Sequence, residues 1–152
     1  MLAPRTKLKP VPAQQYQILD RMALVAGEIF DLPAADLVID AMIGYGLIGN
    51  PRGRTAEWIQ QVNQAARPVL ALDLPSGLEA STGLPGTPCV RAAATMTLAL
   101  PKTGLFAPQA ASVVGDLYLT GIGIPPELYA APSIGLTVEP IFAHDTLLPL
   151  ER

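Results

Sequence analysis

Residues 35–53 read ADLVIDAMIGYGLIGNPRG. The first part, Ala35–Met42, is a short apolar run that reads as a buried strand. Gly44-x-Gly46-x-x-Gly49 follows with the literal spacing of a dinucleotide-binding fingerprint. That fingerprint requires its last glycine inside the opening turn of a helix, so that the helix N-terminus faces a pyrophosphate. Here Gly49 runs into Asn50-Pro51-Arg52-Gly53, and the pattern predicts no helix before Thr55. The motif therefore fails its own structural requirement. What remains is a strand followed by a glycine-rich loop, Gly44–Gly53.

Working outward, Thr55 is placed to cap a helix running to about Ala66, with Trp58, Ile59 and Val62 on its inner face. Arg67–Leu74, RPVLALDL, is a second buried strand, stopped by Pro75-Ser76-Gly77. The two strands with the helix between them form a βαβ unit. A long Gly/Pro/Thr loop leads to a third strand, Ala94–Leu100, stopped by Pro101, and Val113–Ile122 carries a fourth. Upstream, Pro12–Val25 places Tyr16, Ile18, Leu19, Met22 and Ala23 at amphipathic-helix spacing. The strands are short and nearly continuous in apolar residues, as in a parallel sheet covered on both faces. The fold expected is α/β with a mostly parallel sheet, in one domain over 1–152 whose tail, 127–152, is not placed.

Composition excludes several classes. Half of the 152 residues are hydrophobic, only 15% are charged, and the net charge is −3. This is a chain with a core rather than a disordered one. No basic stripe is present to displace counterions, which argues against nucleic acid as a partner. Arg5, Lys7 and Lys9 are a solvated end. A single cysteine, Cys89, forbids an internal disulfide framework, and a single histidine, His144, forbids a histidine-cluster metal site. Cys89 reads as a small buried hydrophobe, and His144 lies in the unplaced tail. No run approaches the ~18 apolar residues of a membrane span, and the first residues do not form a signal peptide. A soluble, cytoplasmic protein with no membrane partner is expected.

In an open parallel sheet, ligands bind beyond the carboxyl ends of the strands. The first strand ends near Asp40, the second at Asp73, and the third runs into Pro101-Lys102, with Ser76 close behind Asp73. Taken singly, each has a plain structural use: the aspartates cap turns and Lys102 is solvated. Three consecutive strands delivering ionisable groups to one rim make that rim the candidate site.

At these residues the chain resembles a known family. ADLVIDAMIGYGLIGNPRG, VLALDLPSGLEASTG, VRAAATMTLALPKTGLF and VGDLYLTGIGIP occur in the order and spacing of the NAD(P)H-hydrate epimerases, the YjeF N-terminal domain family. KLKPVPAQQYQILDRM is similar to the family's helix before the first of these blocks, so the resemblance covers roughly Leu8–Pro126. It implies a Rossmann-like three-layer fold. It also implies an isomerase that interconverts the R and S forms of hydrated NADH and NADPH, a nicotinamide-nucleotide repair step. Carried over by motif, Asp40 and Ser76 would bind a potassium ion. Gly44, Tyr45, Gly46, Leu47, Ile48, Gly49 and Asn50 would lie against the substrate together with Asp73. Asp73 would transfer the proton at the C6 hydroxyl, and Lys102, in the family's PK-G segment, would support it electrostatically.

The departures are as specific. The family's GxGNNGGDG loop has no counterpart; it belongs before Leu8, where only seven residues stand. The first strands of the sheet would be missing with it. The exposed edge so left predicts a homo-oligomer or a partner chain that supplies the missing strands. Tyr45 stands where the family has a small or hydroxyl residue and fills space meant for substrate, and Glu79 and Ser81 replace the usual aspartates. A fragment, a split enzyme and a non-catalytic binding or assembly module all fit these departures.

Overall fold

The computed structural model describes residues 8–25 and 31–151, so Arg5 and Lys7 lie outside it. Helix α1 spans Pro10–Arg21, β1 Val38–Asp40, α2 Gly53–Gln64, β2 Val69–Leu72, β3 Ala94–Leu98 and β4 Asp116–Thr120. One-turn helices α3 (Ala111–Val114) and α4 (Pro126–Tyr129) precede and follow β4, and β5 is Leu147–Leu150. The five strands form one sheet in the order β1-β2-β3-β4-β5. The first four are parallel and β5 is antiparallel to β4. The α/β expectation is met. The tail, unplaced from sequence, closes the sheet: Leu148 and Leu150 pair with Leu119 and Leu117.

Each element has a local cause. In α2 the apolar positions Ile59 and Val62 fall on one face and are buried against β1 and β2. The helix opens at Gly53 with Arg52 as N-cap and no side-chain cap, so Thr55 does not cap it. The chain enters extended at Arg52 (φ −134°), and Pro51 just before is buried. Helix α1 begins two residues earlier and ends four residues earlier than its sequence spacing predicts. Ala23 takes φ +55° after the last turn, and the amides of Ala23 and Leu24 bond back to Asp20 and Leu19. That pair of backward bonds is a Schellman stop.

The strands are shorter than their apolar runs. Asp73 (φ 69°) ends β2 and Ala99 (φ 66°) ends β3, because neither backbone can continue an extended ladder. Burial alternates in phase along all four parallel strands. Val38, Asp40, Val69, Ala71, Thr95, Thr97, Leu117 and Leu119 are buried on one face. That face meets α2, the 74–93 connection and α3, and the core divides into two groups around Ile59 and around Leu105. Covering on both faces, expected from the apolar runs, is not found among the described residues. The opposite rows, Ile39–Leu70–Ala94 and Leu72–Met96–Tyr118, are half-buried or exposed. Helix α1 does not cover them, since it buries none of its side chains. A strand order that runs in sequence places every right-handed crossover on one side, which leaves the other bare.

Candidate functional site

The rim at the carboxyl ends of β1, β2 and β3 holds the residues singled out above. The fold sorts them into two pairs. Asp40, the last residue of β1, is 1% exposed and Ser76 is fully buried. The Ser76 amide donates to Asp40 Oδ2 at 2.7 Å and its hydroxyl to Oδ1 at 2.6 Å. Met42 N–H donates to Oδ1 at 3.2 Å, and Ile43 N–H donates to Ser76 Oγ at 2.8 Å. The Pro75–Leu78 turn presents Ser76 in this way, and Gly77 (φ +108°) lets it pack on the next loop. A Cβ there would stand 2.6 Å from the Pro88 carbonyl oxygen. The pair stitches the loop after β1 to the loop after β2, and among the described residues no buried side-chain polar atom is left unpaired. A carboxylate oxygen, the Ser76 hydroxyl and the Ile43 carbonyl, 3.3 Å from that hydroxyl, gather at one point. Three hard oxygens fit an oxygen-seeking cation by chemistry. Among the described residues no cluster of three or more His, Cys, Asp or Glu side chains exists to hold a metal.

The second pair is Asp73 with Lys102. Asp73 sits at a positive φ, a conformation that non-glycine residues adopt at a cost and that recurs at functional sites. Its amide bonds Met96 O at 2.9 Å, which keeps the side chain at the rim. The Lys102 ammonium forms an ion pair with Asp73 Oδ1 and donates to Thr97 Oγ1 (3.2 Å) and Leu98 O (2.8 Å). All three ammonium hydrogens thus have acceptors, so Lys102 is a fixed point charge rather than a mobile one. Both side chains are under a fifth exposed. Asp73 Oδ2 faces the glycine loop: a Cβ on Gly44 would lie 3.1 Å from it. Gly44 is bare because the carboxylate approaches its backbone.

The rest of the loop stands outward. Tyr45 is 75% exposed and Ile48 96%, so Tyr45 does not fill the interior of the site. Gly46 and Gly49 take positive φ, Leu47 is partly buried, and Asn50 Oδ1 accepts the Thr87 amide at 2.9 Å, tying the loop's far end to the 85–90 segment. Gly49 lies well before the first turn of α2, so the fingerprint fails in three dimensions as it does in one. Thr97, fully buried under Lys102, was missed from sequence. Its signal was a threonine alternating into the covered face in ATMTL. Cys89 is partly buried; burial, and then the Asp40 carboxylate, push its thiol up to about 12, which keeps it protonated and unreactive. His144 is exposed in the segment before β5.

The chain is similar to known proteins in sequence and in fold. The family model described as YjeF-related protein N-terminus matches residues 1–104. An NAD(P)H-hydrate epimerase of Dehalogenimonas lykanthroporepellens is 41% identical over 133 residues, 84% of this chain and 51% of that protein. The bifunctional NAD(P)H-hydrate repair enzyme Nnr of Moorella thermoacetica is 49% identical over 96 residues, 63% of this chain and 18% of that one. The crystal structure of yeast ynu0 superposes with a TM-score of 0.56 at 20% identity, over 76% of this chain and 46% of that one. The likeness to ynu0 speaks for the fold. The chain spans about half the length of the Dehalogenimonas protein. Among the described residues no helix is long and apolar enough to cross a membrane.

Proposed function

The chain belongs to the family of YjeF-related protein N-termini, and from that premise we propose that it interconverts the R and S epimers of hydrated NADH and NADPH. The observation that carries the proposal is Asp73. It is held at a positive φ, with one oxygen on Lys102 and the other turned to the glycine loop. The hydroxyl to be inverted is on C6 of the reduced ring, next to the ring nitrogen. In its protonated form Asp73 gives the Oδ2 proton to that hydroxyl, the C6–O bond breaks as water leaves, the nitrogen lone pair forms a C=N bond, and the carboxylate left behind pairs with Lys102. Water then adds to either face of the planar iminium and returns its proton to the same oxygen. Lys102 fixes Oδ1 and so aims Oδ2. The loop Gly44–Asn50 gives the dinucleotide close backbone approach.

Asp40, Ser76 and the Ile43 carbonyl would hold potassium, whose charge would offset the buried carboxylate and brace the loop. A cytoplasmic setting suits a substrate formed from an intracellular cofactor. The sheet face and the β1 edge left uncovered among the described residues favour a second chain beside this one, as a copy or as a partner.

The test is direct. The purified chain is incubated with the R form of hydrated NADH, with potassium or with choline as the cation, and R-to-S exchange is followed by chromatography. Exchange above the spontaneous rate is expected, reduced about 10²–10⁴-fold in Asp73→Asn, as for removal of a general acid–base group. If the folded wild-type chain gives no exchange, the epimerase reading of this chain alone is sunk. The non-catalytic or split-partner module, which the open face favours, then takes its place.

A further inference from the structure

A cavity lies on the same rim, beyond β3 and β4. Its volume is about 380 Å³, within the range of small-molecule sites. Ala99 and Gly121, the residues directly after these strands, form its floor, tied by the Ala99 amide to Thr120 O at 2.9 Å. The walls are Ile122, Ile124, Tyr129, Val138, Ile141 and Phe142. The tail builds the far wall and is anchored there twice. Thr120 Oγ1 donates to Thr146 O at 2.9 Å, and the Phe142 ring lies over Gly121, where a Cβ would come within 3.1 Å of it. The family model stops at residue 104, so apart from Ala99 this cavity is made by residues beyond that match.

Charge decides what it accepts. From 103 to 151 the sequence has no lysine or arginine. Glu139 lines the cavity, while Glu127 in α4 and Asp145 beside Thr146 stand on the same end. Lys102, at the end of β3, spends its three ammonium hydrogens on Asp73, Thr97 and Leu98 O. Apolar walls with a carboxylate and no lysine or arginine among the lining residues suit a flat, uncharged ring bearing N–H donors, and a further phosphate is disfavoured there by like-charge repulsion within a Debye length of ~8 Å. Neighbouring strands are ~4.8 Å apart, so the cavity opens about one to two strand spacings from Asp73 at the end of β2. That is within reach of the far half of a dinucleotide whose nicotinamide end lies at Asp73.

We propose that this cavity is the adenosine subsite of the site described above, and that it selects the dinucleotide with a free 2′-hydroxyl over the one with a 2′-phosphate. The assignment rests on the epimerase reading for the ligand's identity, but the binding it requires does not depend on turnover. Adenosine and adenosine 2′-monophosphate are titrated into the ¹⁵N-labelled chain at low salt, following the amides of Gly121, Gly123 and Ala143. Saturable shifts with adenosine are expected, with the 2′-phosphate binding at least fivefold more weakly. Ile122→Trp, at a position 55% exposed, and Ala143→Phe each fill the cavity and abolish the shifts. Glu139→Lys brings the two ligands to within about twofold. No saturable shift with adenosine, equal affinity for the two ligands, or shifts that survive both filling variants would overturn the subsite. Absence of R-to-S exchange with adenosine binding intact would instead remove the epimerase reading and leave an adenosine-binding cavity.

Discussion

A carboxylate that is 1% exposed and has no cationic side chain bonded to it is held by the donors around it. Asp40 has three, two of them from Ser76. Asp40→Ala leaves the Ser76 amide and hydroxyl buried without their acceptor, and the expected cost is about 3 kcal/mol or more, read from urea unfolding midpoints. Ser76→Ala leaves Asp40 bonded to the amide at 76, so its expected cost is smaller, about 1–2 kcal/mol. Equal losses in the two variants would sink this account of the Asp40–Ser76 pair. That Asp40, Asp73, Ser76 and Lys102 would gather at one rim was legible in the sequence because each follows an apolar run. Their sorting was not legible. Which carboxylate meets Lys102 depends on β2 lying beside β3, and which meets Ser76 depends on a turn after β2 folding back over β1. Neither contact is local in sequence, and Thr97 could be recognised only once Lys102 had a place.

At the scale of elements, apolar periodicity located α1, α2 and all four parallel strands, whereas their ends had other causes. Asp73 and Ala99 end strands by a left-handed backbone, and Ala23 and Ala66 take φ 55° and 53° just after the helices. An alanine in that region gives no sequence signal, because glycine or asparagine is the usual choice. The tail strand, Leu147–Leu150, was hidden by Pro149, whose missing N–H suits only a sheet edge. Helix α2 is held chiefly by Ile59, which is fully buried, and Val62. Ile59→Ala removes a side chain from the interior of the group that joins α2 to β1 and β2, at about 2–5 kcal/mol. The same variant is expected to leave the Lys102–Asp73 pair intact, because that pair stands on β2 and β3. A urea midpoint shift without loss of adenosine binding is the expected signature, and an unshifted midpoint would contradict the packing.

Across the whole molecule, the near-continuous apolar strands were legible as parallel, but they implied two covered faces and the described residues cover one. The row Leu72–Met96–Tyr118 and the exposed Ile39 are what a second layer would bury. Concentration-dependent association is therefore expected in light scattering, weakened by Ile39→Glu, and a wild-type chain that stays monomeric at high concentration would refute it. The sheet order has a consequence in time as well as in space. Because β1 to β4 pair in the order in which they are written, each strand finds its partner already made when it leaves the ribosome. None waits for a later segment to be inserted between earlier ones, which keeps loop closures short and unpaired edges brief. Among these five strands, pairing runs in one direction from β1 to β4, and the antiparallel β5, with its proline, follows. A product stopped after β4 therefore exposes that strand's outer edge, which β5 covers once it is made.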